Sequence, residues 1–452
     1  MSAILENVRQ RPVDVARSAD RESSPTAGST VARRKRIVIV GAGFAGIAAA
    51  RALRRSDADV VLIDRRNHHI FQPLLYQVAT AVLAPAEIAA PIRQLVEKQE
   101  NLTVMLAEVT AVDLKSRSVD VSYPTSGTHK IAFDFLIVAA GMQPSYFGHD
   151  EFSRHAPALK TLTDGAAIRS KILDAFELAE LTDDDGERAR LMTFVLVGGG
   201  PTGVELAGSM AHMTKVTLRE NFRRIDPAKA QIVLIEGGNR ILPTFAESLS
   251  RKATRRLEKL GVKVLTGTKV ENVDEHGVLA GGVTIPSATV LWTAGVTASS
   301  VSKTLGVPTD RAGRLAVDPF LMVPGASGVF AVGDVAVAHQ DERPLPGVAQ
   351  VAIQEGRYVG RVISRQLTGE APGHPFRYFD KGNMAVVGKN FAVLERGRIR
   401  TSGFTTWLVW AFIHVMTLPQ LQNTLRVQRQ WLWSYWTGQR SSRLISERPR
   451  DQ

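Results

Sequence analysis

Seven unbroken apolar runs punctuate the chain: Ile37–Val40, Val60–Ile63, Phe135–Ala139, Phe194–Val197, Ile232–Ile235, Val290–Leu291 and Val329–Val332. None alternates apolar with polar positions, as a strand with one wet face would. Each reads as a strand buried on both faces. Alanine-rich Ile47–Leu53 reads as a helix between the first two. Asp164–Leu181 has the spacing of an amphipathic helix with Thr163 as its N-cap, and Ser248–Leu260 reads as a helix before a strand at Val262–Leu265. Thr103–Val109 and Ser118–Ser122 predict a small β-meander, and the basic stretch 214–230 a solvated helix. Buried strands alternating with helices predict an α/β fold on parallel sheets.

The first run enters Gly41-x-Gly43-x-x-Gly46, and the second ends on Asp64, 23 residues after Gly41. Each part has a physical task. Gly41 permits the tight turn, Gly43 lets backbone approach a pyrophosphate, and Gly46 lets helix and strand pack closely. The helix N-terminus offers free N–H groups to phosphates, and Asp64 can accept hydrogen bonds from ribose hydroxyls. The device recurs: Phe194–Val197, then Gly198-x-Gly200-x-x-Gly203, a helix carrying Glu205, and a strand ending on Glu236. Two such units imply two Rossmann-like dinucleotide-binding domains, one for a resident flavin and one for a nicotinamide that comes and goes.

Other positions fit that frame. The strand endings Ala140-Gly141 and Ala294-Gly295 let backbone approach a cofactor. Asp334, closing Val329-Phe330-Ala331-Val332-Gly333-Asp334, can bond a ribityl chain, cap a helix, or do both. Phe71–Thr80 is either a packed connection or a lining over the flavin ring, with Thr80 as a polar contact. Adjacent His68 and His69 lack a metal-ligand spacing and read as structural or surface residues; no metal site is expected. Gln350 and Gln354, four apart on one helical face with Val348, Val351 and Ile353, suit a carbonyl-bearing ring.

Composition narrows the chemistry. With no cysteine among 452 residues, disulfides, thiolate metal sites and the disulfide- and sulfide-linked flavoenzymes are excluded. The net charge of +12 is uneven: residues 1–36 carry +4, residues 391–452 carry +6, and the body only +2. Residues 1–34 read as a disordered basic tail without the apolar run of a secretory signal. No nucleic-acid module accompanies the charge, so no nucleic-acid partner is expected.

Five of the six tryptophans fall between Trp407 and Trp436. Phe404–Leu418 is almost wholly apolar, but fifteen residues span about 22 Å as a helix, short of a bilayer core. After Pro419, Leu421, Leu425, Leu432 and Tyr435 can share one face. Residues 404–436 therefore read as two amphipathic helices lying on a membrane surface, or as a domain-capping or dimer-interface pair.

The motifs VGAGFAGIAAA (40–50), FQPLLYQVAT (71–80), GGGPTGVELAG (198–208), WTAGV (292–296), FAVGDVA (330–336), AQVAIQEG (349–356) and YFDKGNMA (378–385) resemble those of type II NADH dehydrogenases, the single-subunit, non-proton-pumping NADH:quinone oxidoreductases. The resemblance runs from about Lys35 to Trp436. It implies FAD, one per chain, held by Gly41, Gly43, Phe44, Ala45, Gly46, Asp64, Thr80, Val109, Gly141, Gly295, Asp334 and Ala349. It implies NADH on Gly198, Gly200, Gly203 and Glu236, with Glu236 repelling the 2′-phosphate of NADPH. Glu205 would sit near nicotinamide and flavin, Gln350 and Gln354 would orient a ubiquinone or menaquinone carbonyl, and Lys381 would join the flavin–quinone pocket. Glu205 and Lys381 become candidate proton relays. Ala81 stands where the family often has glycine, and the last thirty residues follow no family pattern.

The expected plan is an FAD domain over 35–155 and 291–390, an NADH domain over 156–290, and a membrane-associating region over 391–452. The resemblance further implies a homodimer, peripheral on the cytoplasmic face of the inner membrane, that reduces quinone without pumping ions. Removing 404–452 should then spare oxidation of NADH by soluble acceptors. Two other readings share the fold: a soluble NADH-dependent reductase of a ferredoxin-like partner, and an NADH-responsive flavoprotein binding partners through basic tails.

Overall fold

The computed structural model describes residues 33–123 and 127–445; the basic tail lies outside them as far as residue 32. The first sheet is parallel, in the order Val329–Ala331, Phe135–Val138, Lys35–Val40, Ala58–Asp64, Leu102–Leu106. Lys35–Val40 sits at its centre, where chain direction across the sheet reverses and where open α/β sheets bind ligands. The second sheet is also parallel, in the order Val262–Thr266, Gln231–Glu236, Thr193–Val197, Thr289–Trp292. Apart from the edge strands Leu102–Leu106 and Val262–Thr266, which keep polar and exposed positions, both are built on the apolar runs, because a strand covered on both faces keeps few polar positions.

The chain crosses between the two units on an antiparallel pair, Met142–Pro144 with Val296–Ala298. Thr289–Trp292 pairs along its length with Thr193–Val197, so the return falls after Trp292 rather than at residue 291. The sheet Asn383–Val386, Ala392–Arg396, Ile399–Gly403 likewise runs through the expected boundary at 390.

Three local expectations are corrected. Thr103–Val109 is not one meander strand: Leu102–Leu106 closes the parallel sheet, and Glu108–Asp113 opens the meander with Ser118–Tyr123 and Gly127–Ala132. The long helix starts at Leu162, capped by Thr161, whose hydroxyl accepts from Asp164 N while the Asp164 carboxylate accepts from Thr161 N. Stretch 214–230 is no solvated helix; it opens with a π-turn, Met213–Thr217, that buries Met213, Thr214 and Thr217.

Helix Phe44–Ala52 packs on helix Ala349–Leu367 at backbone distance. A Cβ on Gly356 would stand 2.2 Å from the Ala45 carbonyl oxygen, and one on Gly360 would stand 2.6 Å from Ala52 Cβ. The glycine of AQVAIQEG thus seats that helix on the first glycine helix.

The C-terminal pair, Phe404–Met416 and Leu421–Thr437, has two apolar faces. Trp410, Val415, Leu418 and Val427 join the core containing Leu74, Tyr76, Met210 and Leu257. At about 1.5–3 kcal/mol for each large apolar side chain, that face is part of the domain's stability. On the outer face Leu408, Phe412, Met416, Leu421, Leu425, Leu432, Trp433 and Trp436 stay exposed. Among the described residues, no helix is long and apolar enough to cross a membrane.

Candidate functional site

Gly41 takes φ +100°, and its N–H donates to Ile63 O at 2.8 Å, closing the turn between the first two strands. A Cβ there would lie 2.4 Å from Ala139 O, and one on Gly46 would lie 1.8 Å from Gly41 O. Those two glycines are required by protein packing. Gly43 differs: a Cβ on it meets nothing within 4 Å. It sits at the N-cap of helix Phe44–Ala52 with no side chain accepting the first N–H groups. Open space before uncapped N–H groups is the environment a pyrophosphate needs. Asp64 Oδ2 accepts from Ala42 N at 2.7 Å and Oδ1 from Arg66 N at 2.8 Å, which holds the carboxylate beside the loop.

The second loop repeats this geometry. Gly198 takes φ +112°, and a Cβ on Gly203 would lie 1.9 Å from Gly198 O. Gly200 faces open space at the uncapped N-terminus of helix Pro201–His212. Glu236 accepts from Gly199 N and Gly238 N, each at 2.6 Å. The residues present therefore fit two dinucleotides.

Around the first loop, Gly141 takes φ +65° over open space. Asp334 lies in the turn Gly333–Val335 rather than at a helix N-cap. Beneath it Glu355 Oε2 accepts from Gly333 N at 2.5 Å. Burial pushes the Glu355 carboxyl up to about 8, against the opposing Gly333 bond and with a smaller upward push from Asp334. Sequence reasoning did not single out Glu355, although a carboxylate on the apolar face of AQVAIQEG was its signal. Lys160 is pulled below the usual ammonium range by burial, with Asp334 acting against the fall.

Other expected contacts are placed differently. Gly295 lies beneath the Phe147 ring, 2.5 Å from where its Cβ would be. The Val109 side chain is buried in the core under the meander. Phe44 stands edge-on to His69 and Phe71, and His69, buried, bonds Ala42 O, which makes it a structural residue of the loop. Ala45 touches Gly333 and Gly356, and Ala349 opens its helix. Thr80 is fully buried, with its hydroxyl on Tyr76 O and Ser209 Oγ at 2.9 and 2.8 Å. It ties FQPLLYQVAT to the second glycine helix instead of facing an open pocket. Ala81 takes a left-handed turn at φ +60°, while Val82 N and Leu83 N both donate to Gln77 O.

The two glutamines act on the chain itself. Gln350 donates to Gly382 O and accepts from Lys381 N, at 2.9 and 3.2 Å. Gln354 donates to Phe379 O and accepts from Phe379 N, both at 3.0 Å. Both ends of each amide are occupied by backbone. These bonds hold the segment carrying Lys381, whose side chain is exposed.

Glu205 lies one turn into the second glycine helix and accepts from Val386 N at 3.3 Å. Burial pushes its carboxyl up to about 8, partly opposed by that bond. At neutral pH it holds a proton, which suits an acid–base group. The same region contains a residue with no sequence signal, Arg440. It is buried and donates to Thr80 O, Ser209 O and His212 Nδ1.

Two parallel sheets with matched glycine loops, joined by one antiparallel crossing, define the α/β pyridine nucleotide-disulphide oxidoreductase class, and that family's model matches residues 35–356. The fold also superposes on the structure of NDH2 from Plasmodium falciparum in complex with NADH, with TM-score 0.84 and 20% identity over 92% of this chain and 100% of the other. The type II NADH:quinone oxidoreductase Ndh of Mycobacterium tuberculosis is 42% identical over 92% of this chain and 91% of its own. The internal alternative NAD(P)H-ubiquinone oxidoreductase A1 of Arabidopsis thaliana mitochondria is 29% identical over 91% and 86%. The chain belongs to the type II NADH:quinone oxidoreductase family.

Proposed function

We propose that the chain oxidises NADH and reduces a membrane quinone by two electrons, without ion pumping. One observation carries the reading: two glycine loops of the same geometry, each with an acid-ended second strand, stand in one chain beside a buried, proton-holding Glu205. Bound FAD supplies the hydride acceptor for NADH and the two-electron donor for quinone.

The chain's residues divide the remaining work. The first loop and Asp64 hold FAD, with Glu355 fixing the turn that presents Asp334 to it. The second loop and Glu236 hold NADH. The Glu236 carboxylate, fixed by two N–H donors, favours NADH because it repels a 2′-phosphate. Glu205 holds a proton within the protein, Lys381 is a second candidate proton donor, and Gln350 and Gln354 keep its segment in place.

The outer face of the C-terminal pair supports peripheral membrane attachment. It joins exposed Leu425, Leu432, Trp433 and Trp436 to exposed Arg426 and Arg429. The deciding measurement is steady-state oxidation of NADH, and separately NADPH, by the FAD-loaded protein in lipid with a short-chain ubiquinone or menaquinone. NADH-specific quinone reduction is expected. Flavin bleaching by NADH without turnover on either quinone would sink the reading in favour of a soluble-partner reductase.

A further inference from the structure

Phe147 is 68% exposed, and its backbone takes φ +56°. His149 N donates to Tyr146 O at 3.1 Å, so Phe147 and Gly148, the latter at φ +94°, are the central residues of a turn. Turns with both central residues at positive φ favour Asn, Asp or Gly. A bulky aromatic residue there is strained, and an exposed ring gains little from burial. Neither local propensity nor core packing accounts for phenylalanine at this position. Such strain persists at ligand clamps, where the surrounding structure enforces it.

The surroundings do enforce it. The tip of the ring lies on Gly295, where a Cβ would stand 2.5 Å from Phe147 Cζ. Beneath the turn, the buried Trp292 indole donates through Nε1 to Ser145 O at 2.9 Å. The Tyr146 ring packs 5.0 Å from that indole, and its hydroxyl donates to Ala156 O at 2.9 Å. Phe147 thus stands on a fixed base with one side of its ring in water.

The sheet says which part of a ligand meets that ring. Thr193–Val197, which enters the second glycine loop, has a parallel neighbour on each side, Gln231–Glu236 and Thr289–Trp292. Their carboxyl ends share one edge, and a dinucleotide lies along it. Glu236 marks the adenosine half on one side, and the glycine loop takes the pyrophosphate. The nicotinamide half must then continue over the other side, across Thr293, Ala294 and Gly295. That stretch abuts the loop: Thr293 Oγ1 donates to Gly198 O at 2.9 Å, and a Cβ on Gly198 would lie 2.7 Å from Ala294 N.

We propose that Phe147 is a binding residue for the nicotinamide half of NADH, its exposed ring stacking on the nicotinamide riboside where it passes Gly295. The inference rests on the reading of the second glycine loop as the NADH site. Aromatic rings add a preferred geometry to the apolar contact, so the stack would set the tilt of the nicotinamide as well as hold it.

The test is titration calorimetry of the FAD-loaded protein with NAD+ and with ADP-ribose, which keeps the adenosine and pyrophosphate but lacks nicotinamide. Flavin content and unfolding temperature serve as structural controls. F147A is expected to weaken NAD+ about tenfold and ADP-ribose by less than about twofold. F147L, apolar but without a ring, should recover little of the loss, and F147Y most of it. Equal weakening of both ligands, or of neither, would overturn the proposal, as would full recovery in F147L. Failure of ADP-ribose to bind the unmodified protein would overturn the reading of the second loop itself.

Discussion

Trp431, on the last helix, bonds Gln77, 354 residues earlier, at 2.7 Å, and so fixes the C-terminal pair to the segment that faces the second glycine helix. Asn423 adds a second anchor: its Nδ2 donates to the carbonyl oxygens of Ala86, Glu87 and Ala89. A helix pair held only by lipid would have neither.

Deletion of 404–452 is therefore expected to be costly, against the view that the segment is dispensable for soluble chemistry. It removes Trp410, Val415, Leu418 and Val427 from the core they share with Tyr76 and Met210. With about 1.5–3 kcal/mol per large side chain, the loss approaches the whole stability of a typical domain. Thermal unfolding of the purified truncation should show a much lower midpoint or insoluble protein. A truncation as stable as the full chain would return the segment to the role of a detachable anchor.

Two buried carboxyls set a pH dependence of stability. Glu205 and Glu355 are both pushed up to about 8 from an ordinary value near 4.5. A raised acid favours folding fully below the unfolded pKa, and that benefit is lost as pH rises through the folded one. Stability should thus fall from about pH 4.5 to about 8 and then level off. Glu205→Gln and Glu355→Gln should each flatten that fall, by about 2 kcal/mol or more between pH 5 and 8.5. Urea titrations at the two pH values measure it; an unchanged slope in both variants refutes it.

The sheets, both glycine loops and their acids were legible because they are local. Gly41-x-Gly43-x-x-Gly46 and Asp64 meet through a turn whose chemistry is written in one stretch of 24 residues. For the glutamines, four-residue spacing reports a shared face and not what that face meets; their bonds to the segment around Lys381 are visible only in the fold. The choice between a packed connection and a ligand lining at Thr80 is not legible in the sequence, because its partner Ser209 is 129 residues away. Arg440 had no signal at all. A buried arginine among basic residues near a terminus looks like any solvated charge until the carbonyls it satisfies are seen.

Glycine loops that serve two ligands should fail separately. Gly46→Ala sets a Cβ against Gly41 O in the first loop, and Gly203→Ala does the same against Gly198 O in the second. The backbone must shift in either case. Gly46→Ala should be purified with FAD substantially depleted. Gly203→Ala should keep its FAD while KM for NADH rises about tenfold, the equivalent of ~1.4 kcal/mol of binding. Flavin absorbance per chain and NADH saturation curves separate the two, and loss of FAD in both variants would deny the loops their independence.

Vesicle binding should follow the outer face of the last helix. Leu425 and Trp433 are exposed at 58% and 57%, and Arg426 and Arg429 are exposed beside them. Leu425→Glu and Trp433→Glu should each weaken co-sedimentation with anionic vesicles about tenfold or more, since each withdraws ~1.5–3 kcal/mol of apolar transfer. Raised salt should weaken the unmodified protein through its arginines. Binding that ignores both substitutions would place attachment elsewhere.

Arg440 makes the last test, because it is a buried cation that donates to neutral acceptors: Thr80 O at 2.6 Å, Ser209 O at 2.9 Å and His212 Nδ1 at 3.2 Å. Burial draws its guanidinium down to about 9, so it stays charged at neutral pH. Its desolvation is costly, yet its removal leaves the buried Thr80 carbonyl without that donor and Ser209 O with only Met213 N–H, where the Thr80 segment meets the second glycine helix. The second effect should dominate, because a carbonyl confined to a packed helix contact cannot turn to water. Arg440→Ala should lose about 2–4 kcal/mol in denaturant unfolding. Arg440→Lys keeps the charge but cannot span both carbonyls with a planar fork, and should recover only part of that loss. A fully stable Arg440→Ala would mean that desolvation had cancelled the bonds, and that the tie between the two segments rests on Thr80 and Ser209 alone.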